Sequence, residues 1–314
     1  MKLDFSDIKV LLIGDFMVDH YVMGTSNRLS PEAPVPVVLP LEEYSIPGGA
    51  GNVALNLSLL GSKVSCLGVI GQGSWGKKLT GILKKNNVDV SFLIKSNFSH
   101  TTLKKRVYID EKQILRIDRE KKIDNSFNKL INNKVKEIIN DFDVIILSDY
   151  DKGVLNENTI NFVINNANIP VIVDPKKNDF SIYQGATILT PNINELKNAS
   201  KFKVENDKSI ITSSQKIIKK NNLKFIVTTK GEKGMTVVGE DFSEHISTAV
   251  VENPDVTGAG DTVVASLALT YILKKDIFFA IKIANYAANY VVKKVGTAQI
   301  DIANLNKIIK EKKV

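Results

Sequence analysis

Asp255-Val256-Thr257-Gly258-Ala259-Gly260-Asp261-Thr262 runs straight into the apolar stretch Val263 to Leu273. Small residues at a helix start leave backbone N–H groups unshielded. Gly258, Ala259 and Gly260 are therefore expected to form an anion hole assisted by the helix dipole. Asp261 then falls in the first turn of the helix, beside that hole. A carboxylate there is badly placed to bind phosphate but well placed to take a proton from a hydroxyl attacking one. Taken alone, the run also reads as a plain glycine-rich turn between a strand and a buried helix.

Outward from this stretch, short β-rich apolar runs alternate with segments of helical spacing. Lys9–Ile13, Lys63–Ile70, Val144–Leu147, Pro170–Val173, Thr187–Leu189 and Phe225–Thr228 read as buried parallel strands. Asn52–Leu60, Ser126–Asn140, Thr159–Ala167 and Ser209–Lys220 read as helices. The fold class is α/β, with layers of helix on a mostly parallel central sheet. Two regions, approximately 17–46 and 89–120, break the alternation. In the second, Thr101–Ile109 and Gln113–Arg119 alternate around Asp110-Glu111-Lys112 like a hairpin. Both regions are expected to join in a small antiparallel sheet, a lid over the carboxyl ends of the strands.

Composition narrows the function classes. At 314 residues the chain exceeds the usual single core, and 43% apolar with 24% charged residues is globular. The net charge of +8, from 42 Lys and Arg against 34 Asp and Glu, is scattered rather than gathered in a stripe. That pattern excludes a nucleic-acid face yet attracts small anions. Cys66 stands alone, so no internal disulfide forms, and His20, His100 and His245 are too dispersed for a metal site. No apolar run is long enough to span a bilayer, and a cytoplasmic location without membrane contact is expected. The basic tail Lys307–Val314 reads as a solvated helix end.

Gly71-Gln72-Gly73-Ser74-Trp75-Gly76-Lys77 has the dinucleotide-binding spacing and the first part of a P-loop. It fails as a P-loop because Lys78 stands where a hydroxyl must reach Mg²⁺, and as a dinucleotide site because Asp89 is too near to be the second-strand acid. It reads as a strand-to-helix turn with Ser74 as cap. Pro47-Gly48-Gly49-Ala50-Gly51-Asn52 precedes another helix and would let backbone approach a ligand, although a capping turn reads equally well.

On these residues the chain resembles the ribokinase-like, PfkB-type sugar kinases across nearly its whole length. Gly48-Gly49-Ala50-Gly51-Asn52 and Asp255 to Asp261 stand as that family's two signatures. Within the family it is most similar to the heptose 7-phosphate kinases. The discriminating pieces are Gly14 to Asp19, Ser30 to Val37, Gln113 to Asp118, Leu147 to Gly153, Asp174-Pro175-Lys176 and Thr190-Pro191-Asn192.

The resemblance implies a three-layer sandwich with a β-lid, ATP and Mg²⁺ as cofactors, and a sugar held between sheet and lid. It implies Asp261 as catalytic base, with Gly258, Ala259 and Gly260 as the anion hole. Asp15, Asp19, Gly48, Gly49 and Asn52 are then expected at the sugar, and Arg106, Lys176 and Arg116 at its distal phosphate. Asn192, Thr229, Lys230, Gly231 and Asn285 are expected at the nucleotide, with Lys230 offsetting phosphate charge. Glu195 would organise Mg²⁺ through water; read without the resemblance, Asn192 and Glu195 form a capping box. Gly73-Ser74, where relatives commonly carry an acid, and Asn289, where a small residue is commoner, depart from the family pattern.

The implied reaction is phosphorylation of the anomeric hydroxyl of D-glycero-β-D-manno-heptose 7-phosphate, for ADP-heptose and lipopolysaccharide-core synthesis. Other PfkB-type sugar kinases and a catalytically silent sugar-binding protein are the alternatives. The chain is expected to be one kinase domain lacking the C-terminal nucleotidyltransferase domain of many such kinases. A homodimer through the lids, using Val37 and Val38, is expected.

Overall fold

Runs of β-branched residues form the strands, and segments with apolar residues at helical spacing form the helices between them. The computed structural model describes residues 2–97, 100–201, 203–294 and 296–312. It begins with β1 (Lys9–Gly14), β2 (Phe16–Thr25), β3 (Leu39–Gly49), α1 (Ala50–Leu59), β4 (Lys63–Gly71), α2 (Ser74–Lys85) and β5 (Leu93–Ser96). Next come β6 (Thr102–Ile109), β7 (Lys112–Arg119), α3 (Asn128–Ile138), β8 (Val144–Ser148), α4 (Glu157–Asn166) and β9 (Val171–Asp174). The chain continues through β10 (Ile188–Leu189), α5 (Ile193–Ala199), α6 (Asp207–Asn221), β11 (Phe225–Thr229), β12 (Met235–Val238) and β13 (Ser243–Ile246). It closes with α7 (Ala259–Lys274), α8 (Ile277–Val291) and α9 (Ile302–Glu311).

A central sheet takes the order β13-β12-β11-β10-β9-β8-β1-β4-β5, parallel from β11 to β5 and antiparallel at the β11-β12-β13 edge. Alternation along each strand separates two cores. Val10, Leu12, Val144 and Ile146 pack with α1, α7 and α8 on one face. Leu11, Ile13, Ile145 and Leu147 pack with α3, α4 and α6 on the other. This is the three-layer sandwich anticipated from the sequence. Because β1 has β8 on one side and β4 on the other, the strand order reverses direction there. The carboxyl ends around such a switch point open a crevice.

The lid is a separate sheet in the order β3-β2-β6-β7. It is mixed rather than antiparallel: β2 pairs with β6 in parallel, while the outer pairs are antiparallel. The reason is connectivity, since β2 follows β1 and β6 follows β5, both strands of the parallel array. The β6–β7 hairpin turns at Asp110 (φ 49°) and Glu111 (φ 68°), the left-handed pair that suits a two-residue turn between twisted strands.

Other expectations need correction. Leu93–Ser96, inside the segment assigned to the lid, is the edge strand β5 of the central sheet, held by β4. Gly73, not Ser74, caps α2, and no side chain completes the cap. Val37 and Val38 are half-buried. Exposed apolar residues of the lid instead include Leu39, Leu41, Tyr44, Ile114, Leu115 and Ile117. In the tail, Lys307, Lys310 and Lys312 are exposed, and Lys313 and Val314 lie outside the described residues. Among the described residues no helix is long and apolar enough to cross a membrane.

Candidate active site

The first turn of α7 is where the charge and the glycines meet. Gly258 caps the helix at φ 76°, a left-handed conformation that a side chain strains. A Cβ there would also lie 2.7 Å from Asn52 Nδ2 and 2.9 Å from Thr297 Cγ2. The Ala259 amide is taken by the Val256 carbonyl, so the hole narrows to Gly258 and Gly260, whose amides meet no acceptor among the described residues. Asp255, six residues before Asp261, ties the preceding loop by accepting from the amides of Thr257 (2.9 Å) and Gly296 (2.7 Å).

Asp261 is buried and clamped from two sides. Asn52 Nδ2 donates to its Oδ2 at 2.6 Å, and the Tyr150 hydroxyl donates to its Oδ1 at 2.6 Å. Burial pushes its carboxyl up to about 6, against the pull of these two donors and of Lys104, while Asp19 adds to the rise. Asn52 is fully buried, and its Oδ1 accepts from Gln299 Nε2 at 2.9 Å. One turn on, Thr262 donates to Asn56 Oδ1 at 3.0 Å, so α1 and α7 are zipped by two polar bridges in an otherwise apolar interface.

Asp15, expected at a sugar, is buried and turned elsewhere. Its carboxylate accepts from the amides of Tyr150 (3.0 Å), Lys152 (2.9 Å) and Val154 (3.1 Å), organising the loop after β8. Burial and then the neighbouring Asp149 charge push it up to about 6 although those amides oppose the shift. Asn52 is likewise used up inside the protein. Gly48 and Gly49 serve close approach: a Cβ on Gly48 would collide with the Asp19 carboxylate, and one on Gly49 (φ 55°) with the Asp15 carbonyl. Asp19 itself receives Arg106 Nη1 at 2.6 Å, and the Arg106 guanidinium lies 5.3 Å over the Tyr21 ring. Arg116 is on the exposed strand β7, paired with Asp118 at 2.9 Å.

Two adjoining cavities meet at the start of α7. The smaller, about 190 Å³, is lined by Asp149, Tyr150, Asp174, Lys176, Glu195 and Asp261, with Gly258 and Gly260 at its wall. Lys176, expected at a distal phosphate, faces this cavity and donates to Glu195 Oε1 at 3.0 Å. Glu195 and Asn192 do form the capping box of α5, and both also line the cavity. Burial and the negative Asp261 and Glu195 hold the Asp174 carboxyl well above its ordinary range.

The larger cavity, about 480 Å³, has apolar walls of Val251, Val256, Val263 and Val292, with Thr229, Gly231, Asn285 and Asn289 at its polar edge. Lys230 does not reach it. Its ammonium is buried against Asp207 Oδ1 at 2.6 Å and His245 Nδ1 at 3.0 Å. Sequence reasoning left Tyr150 and Lys104 without roles. For Tyr150 the available signal was a polar aromatic two residues past a buried strand; for Lys104 the sequence carried none, since only the folded lid sets it beside Asp19.

Residues 7–303 match the profile of the pfkB family of carbohydrate kinases. The bifunctional protein HldE of Campylobacter curvus is 37% identical over 308 residues, covering 97% of this chain and 66% of that protein. The bifunctional protein HldE of Haemophilus influenzae (strain PittEE) is 38% identical over 309 residues, 98% of this chain and 64% of that one. The chain thus spans about two thirds of the length of these relatives. Phosphofructokinase-2 from Escherichia coli in complex with potassium has a TM-score of 0.81 at 18% identity, covering 98% of this chain and 100% of that chain. Arabidopsis thaliana ribokinase complexed with ribose and ATP has a TM-score of 0.76 at 19% identity, covering 97% and 99%. These two likenesses speak for the fold.

Gly258→Ala should lower stability by about 1–3 kcal/mol, because it strains the backbone and drives a methyl into Asn52. Urea unfolding measures this; an unchanged midpoint would mean that the helix start accepts a side chain.

Proposed function

The chain belongs to the pfkB family of carbohydrate kinases, which transfer a phosphoryl group to a sugar hydroxyl, and from that premise we propose the acceptor. It is the anomeric hydroxyl of D-glycero-β-D-manno-heptose 7-phosphate, converted with ATP to the 1,7-bisphosphate and ADP, a step toward ADP-heptose. The sequence pieces shared with heptose 7-phosphate kinases and the HldE relatives support this substrate.

The observation that carries the reading is the cationic inner face of the lid. Lys104, Arg106 and Arg116 occupy register positions on one face of β6 and β7, together with Asp19 of β2. Arg106 and Arg116 have acidic partners, whereas Lys104 is half-buried and has no ion-pair partner among the described residues. Lys104 and Asp19 both act electrostatically on Asp261, which supports a lid face turned toward that carboxylate. A half-buried ammonium with carboxylates near it but none in ion-pair contact suits a sugar phosphate better than a neutral sugar.

In the reaction the acceptor O–H proton passes to the Asp261 carboxylate. The acceptor oxygen bonds to the γ-phosphorus as the bond from that phosphorus to the β–γ bridging oxygen breaks, and ADP leaves. The Gly258 and Gly260 amides, at the positive end of the α7 dipole, stabilise charge on the transferring group. ATP occupies the larger cavity, its base among the valines near Asn285 and its phosphates toward Lys176. Mg²⁺, when bound, offsets charge on those phosphates. Asp174 and Glu195 supply hard oxygens in the smaller cavity, and no cluster of three acidic, His or Cys ligands exists among the described residues. That donor set suits an ion that keeps most of its waters.

The lid also has open strand edges at β3 and β7, with Leu41 and Leu115 exposed, and a homodimer joining two lids would cover them.

Asp261→Asn should lower kcat by about 10²- to 10⁴-fold while leaving the sugar KM within a few-fold, as measured by coupled ADP release. Near-normal turnover would remove Asp261 as the base. Lys104→Gln should raise the KM for the sugar phosphate roughly 10- to 100-fold and leave the ATP KM alone. An unchanged sugar-phosphate KM would remove the cationic lid as its receptor.

A further inference from the structure

We infer that Tyr150 is a positioning residue for the base: its hydroxyl fixes the orientation of the Asp261 carboxylate and favours its charged form as the acceptor approaches. This rests on the reading of Asp261 as base and adds a residue to it.

The geometry is specific. Tyr150 lies two residues past the end of β8, and its hydroxyl is 2.6 Å from Asp261 Oδ1. Burial and then the negative Asp261 and Asp174 hold the phenol well above its ordinary range, so it is the donor of this bond. Asn52 holds the other carboxylate oxygen, but Asn52 is fully enclosed, whereas Tyr150 forms part of the cavity wall. The clamp thus has a buried jaw and a jaw at the reaction space.

The Tyr150 jaw is itself held still. Its backbone N–H donates to Asp15 Oδ2, and the same carboxylate takes the amides of Lys152 and Val154. Asp149, its neighbour, accepts from the Tyr183 hydroxyl at 2.7 Å. Lys152 Nζ reaches Glu120 Oε2 at 2.6 Å, and Lys122 reaches Asp151 Oδ2 at 2.7 Å. The loop that aims Tyr150 is therefore tied both to the end of β1 and to the segment leaving the lid.

The groups acting on Asp261 come from several sides: Tyr150 after β8, Asn52 of α1, Asp19 of β2 and Lys104 of β6, and Asp261 in turn raises Asp174 at the end of β9. Burial and Asp19 favour the protonated acid; Tyr150, Asn52 and Lys104 favour the carboxylate. Deleting the phenol removes one of the opposing contributions and leaves burial in place. The carboxyl must then titrate at higher pH. Since the base works deprotonated, the acidic limb of kcat/KM moves upward.

Tyr150→Phe keeps the ring and removes the hydroxyl. The wild-type acidic limb is expected near pH 6, and the variant's about one unit higher. The rate should fall roughly tenfold below the limb and recover at alkaline pH, with the ATP KM unchanged. A second probe, 3,5-difluorotyrosine at position 150, retains the fold contacts with a stronger donor and should move the limb down. A limb that stays put in both proteins, or a loss equal at every pH, would overturn the inference. If Asp261→Asn is inactive and the limb does not move, the base reading stands and this one falls; if Asp261→Asn turns over normally, both fall.

Discussion

A carboxylate removed from water at the positive end of a helix is the constraint around which the site is built. Asp261 has lost its hydration, and an ionised group in that position is costly unless donors replace the water. Asn52 and Tyr150 do so from opposite sides. The two donors come from positions 209 and 111 residues away in sequence, so the carboxylate is charged and aimed only when α1, α7 and the loop after β8 are assembled. A carboxylate held this way exists only in the complete fold.

The same economy appears around it. Asp15 spends its charge on three loop amides, and Gly48 and Gly49 give up side chains so that Asp19 and the Asp15 carbonyl can come close. Residues that resemble ligands thus form a supporting layer one step behind the reacting groups. What remains at the smaller cavity is a short set: Asp261, Gly258, Gly260, Tyr150 and Lys176 line it, while Lys104 acts on Asp261 electrostatically from the lid.

The fold was legible because parallel strands buried on both faces read as continuous β-branched runs, and those at Lys9–Ile13 and Val144–Leu147 needed no partner to be recognised. The helix start at Gly258 was legible for a similar reason, since its glycines and its acid lie within four residues. Side-chain partners across long separations were not. Lys230 follows a strand beside the larger cavity, but its burial against Asp207 and His245 depends on α6 and β13 being packed there. Lys176 follows β9, and only the folded sheet shows that it points at Glu195. The direction of β6 was hidden too, because pairing follows the route taken from β5 and not local alternation.

The most direct measurement is ADP release with MgATP across D-glycero-β-D-manno-heptose 7-phosphate, sedoheptulose 7-phosphate, fructose 6-phosphate and ribose. The account predicts the highest kcat/KM for the heptose phosphate, with ribose, which has no phosphate for the lid to hold, far behind. Preference for ribose or fructose 6-phosphate, or binding of every sugar without turnover, would contradict it.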